Sequence, residues 1–110
     1  MSQHYLKFFH ERSGCDVRVQ LGWDRPLQGF YMVALKENQD ALPDGDDGVV
    51  YSNLYDVGHT ADLTHYKEVS KQLDFPIPDV MWRAAYLDFQ HNAVNKQVFY
   101  DLEGRLVDPY

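Results

Sequence analysis

The chain has a single cysteine, Cys15, among 110 residues. That excludes an intrachain disulfide and with it the stapled scaffolds of small secreted domains. No stretch approaches the ~18 consecutive apolar residues that a membrane-spanning helix needs. The opening residues, Met1 to Tyr5, lack the basic-then-apolar order of a secretory leader. These absences predict a cytoplasmic protein without membrane contact. Basic residues are scarce as well: 10 Lys and Arg stand against 17 Asp and Glu, a formal net charge of −7. Such a charge repels phosphate backbones at long range, so nucleic acid is not expected as a direct ligand. The seven glycines are scattered at turns, and none forms a phosphate-cradling loop.

What the chain does have is apolar mass. Its hydrophobic fraction is 45%, with eight Tyr, six Phe and two Trp, enough for one core without help from metals or disulfides. No internal repeat or linker divides residues 1–110, so a single domain is expected.

The periodicities run strand first and helix later. His4 to His10 reads as a strand with Leu6 and Phe8 on one face and Tyr5, Lys7 and Phe9 on the other. Beyond the turn at Glu11 to Gly14, Val17, Val19, Leu21 and Trp23 alternate with polar or small residues. Gly29 to Leu35 is apolar on both faces, as in a central strand, and Val49 to Tyr51 forms a short fourth. Between them, Asn38 to Gly48 is predicted to be a loop.

Helical spacing begins after Gly58. Leu63, Tyr66, Val69 and Leu73 form one apolar stripe, with Thr60 or Asp62 as cap. After Phe75-Pro76-Ile77-Pro78, the residues Met81, Trp82, Ala85, Tyr86 and Phe89 form a second. Gln97 to Asp101 and Arg105 to Val107, joined through Gly104, close the chain as a hairpin. The order β-β-β-β-α-α-β-β predicts an α+β domain, an antiparallel sheet of about five or six strands with two short helices packed on one face.

Five groups of residues invite a chemical reading. His59, Asp62 and His65 are ligand types, and a small hydrolase or metal-dependent enzyme built on them is the alternative function. Steps of three, however, rotate the outer two apart if all lie on a helix. Asp44-Gly45-Asp46-Asp47-Gly48 lacks the spacing of a calcium loop, since Val49 and Tyr55 fall where its glycine and glutamate belong. Cys15 has no neighbouring cation to activate it. Carboxylate pairs such as Asp56 with Asp62, or Asp79 with Asp88, are unavoidable at this acid content and specify nothing. No cofactor and no metal site is expected.

The fifth group is aromatic and acidic: Trp23 and Arg25 at one turn, Asp44, Asp46 and Asp47 in the acidic loop, and Tyr51 and Tyr55 beyond it. Tyr, Trp and Arg anchor protein interfaces because they bury much area at small entropic cost. The expected function is therefore that of a small acidic intracellular binding or regulatory protein, acting through these residues on a basic protein partner. A nucleic-acid mimic is a special form of it. Self-association through an uncovered sheet edge is a further expectation.

Overall fold

The computed structural model describes residues 1–37, 42 and 44–110. The loop predicted over Asn38 to Gly48 therefore lies partly outside the described residues. The elements are β1 (Ser2–His10), β2 (Cys15–Asp24), β3 (Gly29–Lys36), β4 (Val49–Ser52), a 3-10 turn (Asn53–Tyr55), α1 (Thr64–Leu73), α2 (Asp79–Gln90), β5 (Lys96–Tyr100) and β6 (Leu106–Val107). The α+β order is the one the periodicities predict.

Six strands form one sheet in the order β4-β3-β2-β1-β5-β6. The first four are an antiparallel meander, and β5 pairs with β6 antiparallel. The pairing of β5 with β1 is parallel, Ser2 opposite Lys96 through Leu6 opposite Tyr100. The sheet is thus mixed rather than wholly antiparallel. A parallel pair needs a long crossover, which α1 and α2 provide by carrying the chain from β4 at one edge to the free side of β1.

Alternation along each strand decides which side chains meet the helices. Leu6 and Phe8 of β1, Val17, Val19, Leu21 and Trp23 of β2, and Phe30, Met32 and Ala34 of β3 lie in one core with Tyr66, Val69, Met81, Trp82 and Ala85 of the helices. Among the described residues no helix covers the opposite face. There Tyr5 stacks on Phe99, and Tyr110 meets Phe99 edge-on while Arg18 lies over the rings of Tyr5 and Tyr110. The Tyr110 hydroxyl accepts from Lys7 N at 3.0 Å and points its proton at the carbonyls of Tyr5 and Tyr100, 2.9 and 2.7 Å away. It thereby occupies the place of another rung where the β1–β5 ladder stops.

The helix ends are closed by specific groups. Asp62 Oδ1 accepts from Thr64 N at 2.9 Å, but the N-cap position itself is held by Leu63, so neither Thr60 nor Asp62 is the cap that the spacing predicted. Asp74 takes the left-handed conformation that terminates α1, with φ 60°. Two orphaned carbonyls of the last turn are met from the β1–β2 hairpin: His10 Nε2 donates to Leu73 O at 2.6 Å, and Arg12 donates to Gln72 O. On α2 the buried stripe is Met81, Trp82, Ala85 and Asp88. Tyr86 and Phe89, expected in it, are exposed along one flank, because the helix is rotated so that an aspartate faces the core.

Candidate functional site

The acidic and aromatic candidates fall into two separate places. Trp23 is a core residue, 2% exposed. Its ring packs edge-on against Phe30 and Phe89, and its indole N–H donates to Asn92 Oδ1 at 3.2 Å. It therefore leaves the expected surface group, because alternation along β2 points it at the helices. Arg25 is exposed in the β2–β3 turn, where its carbonyl accepts from Gln28 N. Gly29 opens β3 and Lys36 closes it, so Arg25 sits at the end of that strand remote from Asp46. Neither residue joins the acidic loop.

Asp47, Tyr51 and Tyr55 do come together. With Val49, Val50, Ser52 and Asp56 they line an open cavity of about 230 Å³ along β4, an edge strand of the sheet. Local backbone chemistry builds it. Asp46 Oδ1 accepts from Gly48 N at 2.8 Å and Asp47 Oδ1 accepts from Val49 N at 3.0 Å, turning the loop into β4. Ser52 Oγ accepts from Leu54 N at 3.2 Å and starts the 3-10 turn. That turn holds Leu54 71% and Tyr55 80% exposed.

The three loop aspartates differ in state. Asp46 is bonded to Lys36 Nζ at 2.8 Å, and this contact chiefly holds its carboxyl below the ordinary carboxylate value. It is a structural group. Asp47 spends one oxygen on Val49 N, and Asp44 is exposed in its turn.

Asp56 closes the cavity. One oxygen, Oδ2, accepts from His65 Nε2 at 2.6 Å and from the Tyr51 hydroxyl at 2.8 Å. The bond from His65, then that from Tyr51, depresses its pKa. The Tyr51 phenol moves the other way: burial first, and then donation to an anion, raise its pKa. Tyr51, Asp56 and His65 form one hydrogen-bonded unit with anionic charge at the cavity wall. Sequence reading missed Asp56 and His65 as part of this group, because the bend at Val57 and Gly58 that folds them together has no periodic signature.

The alternative metal set does not converge. His59 Nε2 lies 3.2 Å from Asp24 Oδ2, Asp62 accepts from Thr64 N ahead of α1, and His65 belongs to Asp56. His59 also rests on Gly29, where a methyl group would stand 2.6 Å from its Cβ. Each of the three has its own partner, and among the described residues no three His, Cys, Asp or Glu side chains gather as metal ligands.

A second polar cluster is hidden in the core. Asp88 faces His4 Nε2 at 2.5 Å and Lys96 Nζ at 2.5 Å, while His4 Nδ1 lies 2.9 Å from the Tyr100 hydroxyl. A carboxylate only accepts, so His4 Nε2 carries a proton. Burial alone would push the Asp88 carboxyl up, but bonds from His4, Lys96 and Ser2 bring it below its ordinary value. The side chains of His4 and Asp88 are 1% and 3% exposed, so a substrate has no access to the pair and its role is to join β1, β5 and α2.

No helix of the described residues is long and apolar enough to cross a membrane. Comparison with protein-family models, with curated proteins and with solved structures finds no match for this chain.

Proposed function

We propose that the protein is a binding protein whose β4 edge docks a basic segment of a protein partner. One observation carries this reading: exposed Leu54 and Tyr55 stand beside a cavity walled by Tyr51, Asp47 and Asp56. Apolar anchors next to an anionic, tyrosine-lined recess suit a lysine or arginine side chain. The cation lies against tyrosine faces and carboxylates while its neighbours cover Leu54 and Tyr55. Asp46 is paired with Lys36, and among the described residues Asp44 and Asp47, with Asp56 beside His65, carry the other carboxylates of this edge. Such a compact patch fits a protein segment better than the long phosphate ladder that a nucleic-acid mimic must imitate.

The test is a nuclear magnetic resonance titration with a short capped peptide of alternating arginine and leucine. Saturable shifts are expected at Tyr51, Tyr55 and Asp56, weakening as salt is raised. The triple variant Asp44→Asn, Asp47→Asn, Tyr55→Ser should bind about tenfold more weakly with an unchanged melting temperature. Undiminished binding by that variant, or shifts located elsewhere on the molecule, would refute the proposal.

A further inference from the structure

In an acidic molecule, basic side chains without an acidic neighbour are informative. Six of the cations meet a carboxylate within 4 Å: Arg12, Arg18, Lys36, Lys71, Lys96 and Arg105. Among the described residues, Lys7, Arg25, Lys67 and Arg83 have no such partner. Two of these four, Lys67 on α1 and Arg83 on α2, line the same groove.

That groove separates the two helices and holds about 400 Å³ between Leu63, Lys67, Asp79, Trp82, Arg83 and Tyr86. It continues along α1 past Thr64, Glu68 and Lys71 towards Phe75 and Ile77. Its floor is apolar and aromatic. The Lys67 ammonium lies 5.9 Å from the centre of the Trp82 ring rather than against an acid. The carboxylates present have other roles: Glu68 faces Lys71 at 3.9 Å, and Asp79 sits in the first turn of α2, where a negative charge favours the helix dipole. An aromatic floor beneath two unneutralised cations is the complement of an acidic, apolar chain segment. The molecule's own net charge of −7 makes their pairing within the groove a local exception.

We propose that the groove between α1 and α2 is a second docking site, opposite in charge to the β4 edge, which takes an acidic segment of a partner protein. Its apolar side chains lie on half-exposed Tyr86 and on the edges of Trp82 and Leu63 that line the groove, and its carboxylates reach Lys67 and Arg83. The elongated, open shape suits an extended or helical peptide, which can bridge both ends of the groove. This inference does not depend on the reading of the β4 edge.

The experiment follows the two indole N–H resonances during titration with a short capped peptide of alternating glutamate and leucine. Trp23 does not line the groove and its indole N–H is bonded to Asn92, so it serves as an internal reference. The Trp82 signal should shift saturably and that of Trp23 should not. The double variant Lys67→Glu, Arg83→Glu should weaken binding by about tenfold or more, since both exposed cations are replaced by charges that repel the peptide. Equal binding by that variant, equal binding by a lysine–leucine peptide, or no shift at millimolar peptide would each overturn the proposal. So would a Trp82 shift that follows protein concentration without peptide, because a second copy would then be the occupant.

Discussion

Asp88 Oδ2 lies 2.5 Å from His4 Nε2 at the junction of β1 and α2, and both side chains are withdrawn from water. Lys96 approaches the other carboxylate oxygen, also at 2.5 Å. One acid therefore satisfies donors from both of the strands that pair in parallel, His4 and Ser2 of β1 and Lys96 of β5. Removing it would leave His4 Nε2 buried without an acceptor, with only Nδ1 still bonded to the Tyr100 hydroxyl, and would free Lys96.

Asp88→Asn should destabilise the fold by about 2–4 kcal/mol in urea unfolding, since it breaks a buried, charge-assisted network. The acid limb supplies an independent check. The folded pKa of Asp88 lies below the ordinary 3.8, so its contribution is complete above that value and is lost as pH falls through the folded one. The wild type should thus lose more stability than the variant between about pH 5 and pH 2. Parallel curves for the two proteins would show that Asp88 does not carry this interaction.

Burial acts on phenols in the opposite sense. Tyr31 and Tyr100 are both pushed up to about 12, chiefly by desolvation, with anionic Asp88 adding to each. A folded pKa above the unfolded 10.0 means that this stabilisation is present below pH 10 and lost as pH rises towards 12. In a spectrophotometric titration, two or more of the eight tyrosines should ionise late, together with alkaline unfolding. Tyr31→Phe should shrink that late step. A single step near the ordinary value in a protein that remains folded would contradict the assignment.

Gly22 is required by close approach. A methyl group there would stand 2.0 Å from the Ser2 carbonyl oxygen and 3.1 Å from the Tyr31 ring. The Tyr31 hydroxyl crosses that bare backbone to donate to Ser2 O at 2.7 Å while accepting from Gln20 Nε2 at 2.8 Å. Gly22→Ala should cost about 2 kcal/mol or more by overpacking. Gly45→Ala, where nothing lies within 4 Å of the added group and only the φ of 87° resists, should cost about 1 kcal/mol. Thermal melts of the two variants check the order, and a Gly45 variant less stable than the Gly22 variant would reject the explanation.

The strands and helices were legible because their apolar residues recur at the two periods that burial enforces. Leu63, Tyr66 and Val69 face the core as their spacing requires, and so do Val17, Val19 and Leu21. The direction of β5 was not legible: alternation along Val98 and Tyr100 is the same for a parallel and an antiparallel neighbour. Trp23 misled for a related reason, since a tryptophan near a turn has the same composition signal whether it faces partner or core. Asp88 was hidden among many acids, and only its position seven residues beyond Met81, on the buried stripe, distinguishes it.

The sequence by itself determined the element order, the charge and the inventory of aromatic anchors, because propensity, spacing and charge are properties of neighbouring residues. Tertiary structure alone decided that Tyr51, Asp56 and His65 share one hydrogen-bonded unit, that His4 meets Asp88, and that Lys67 and Arg83 flank one groove. Those relationships depend on the angle at which separate elements pack. That angle is set by the shape of the whole core rather than by any local run of residues.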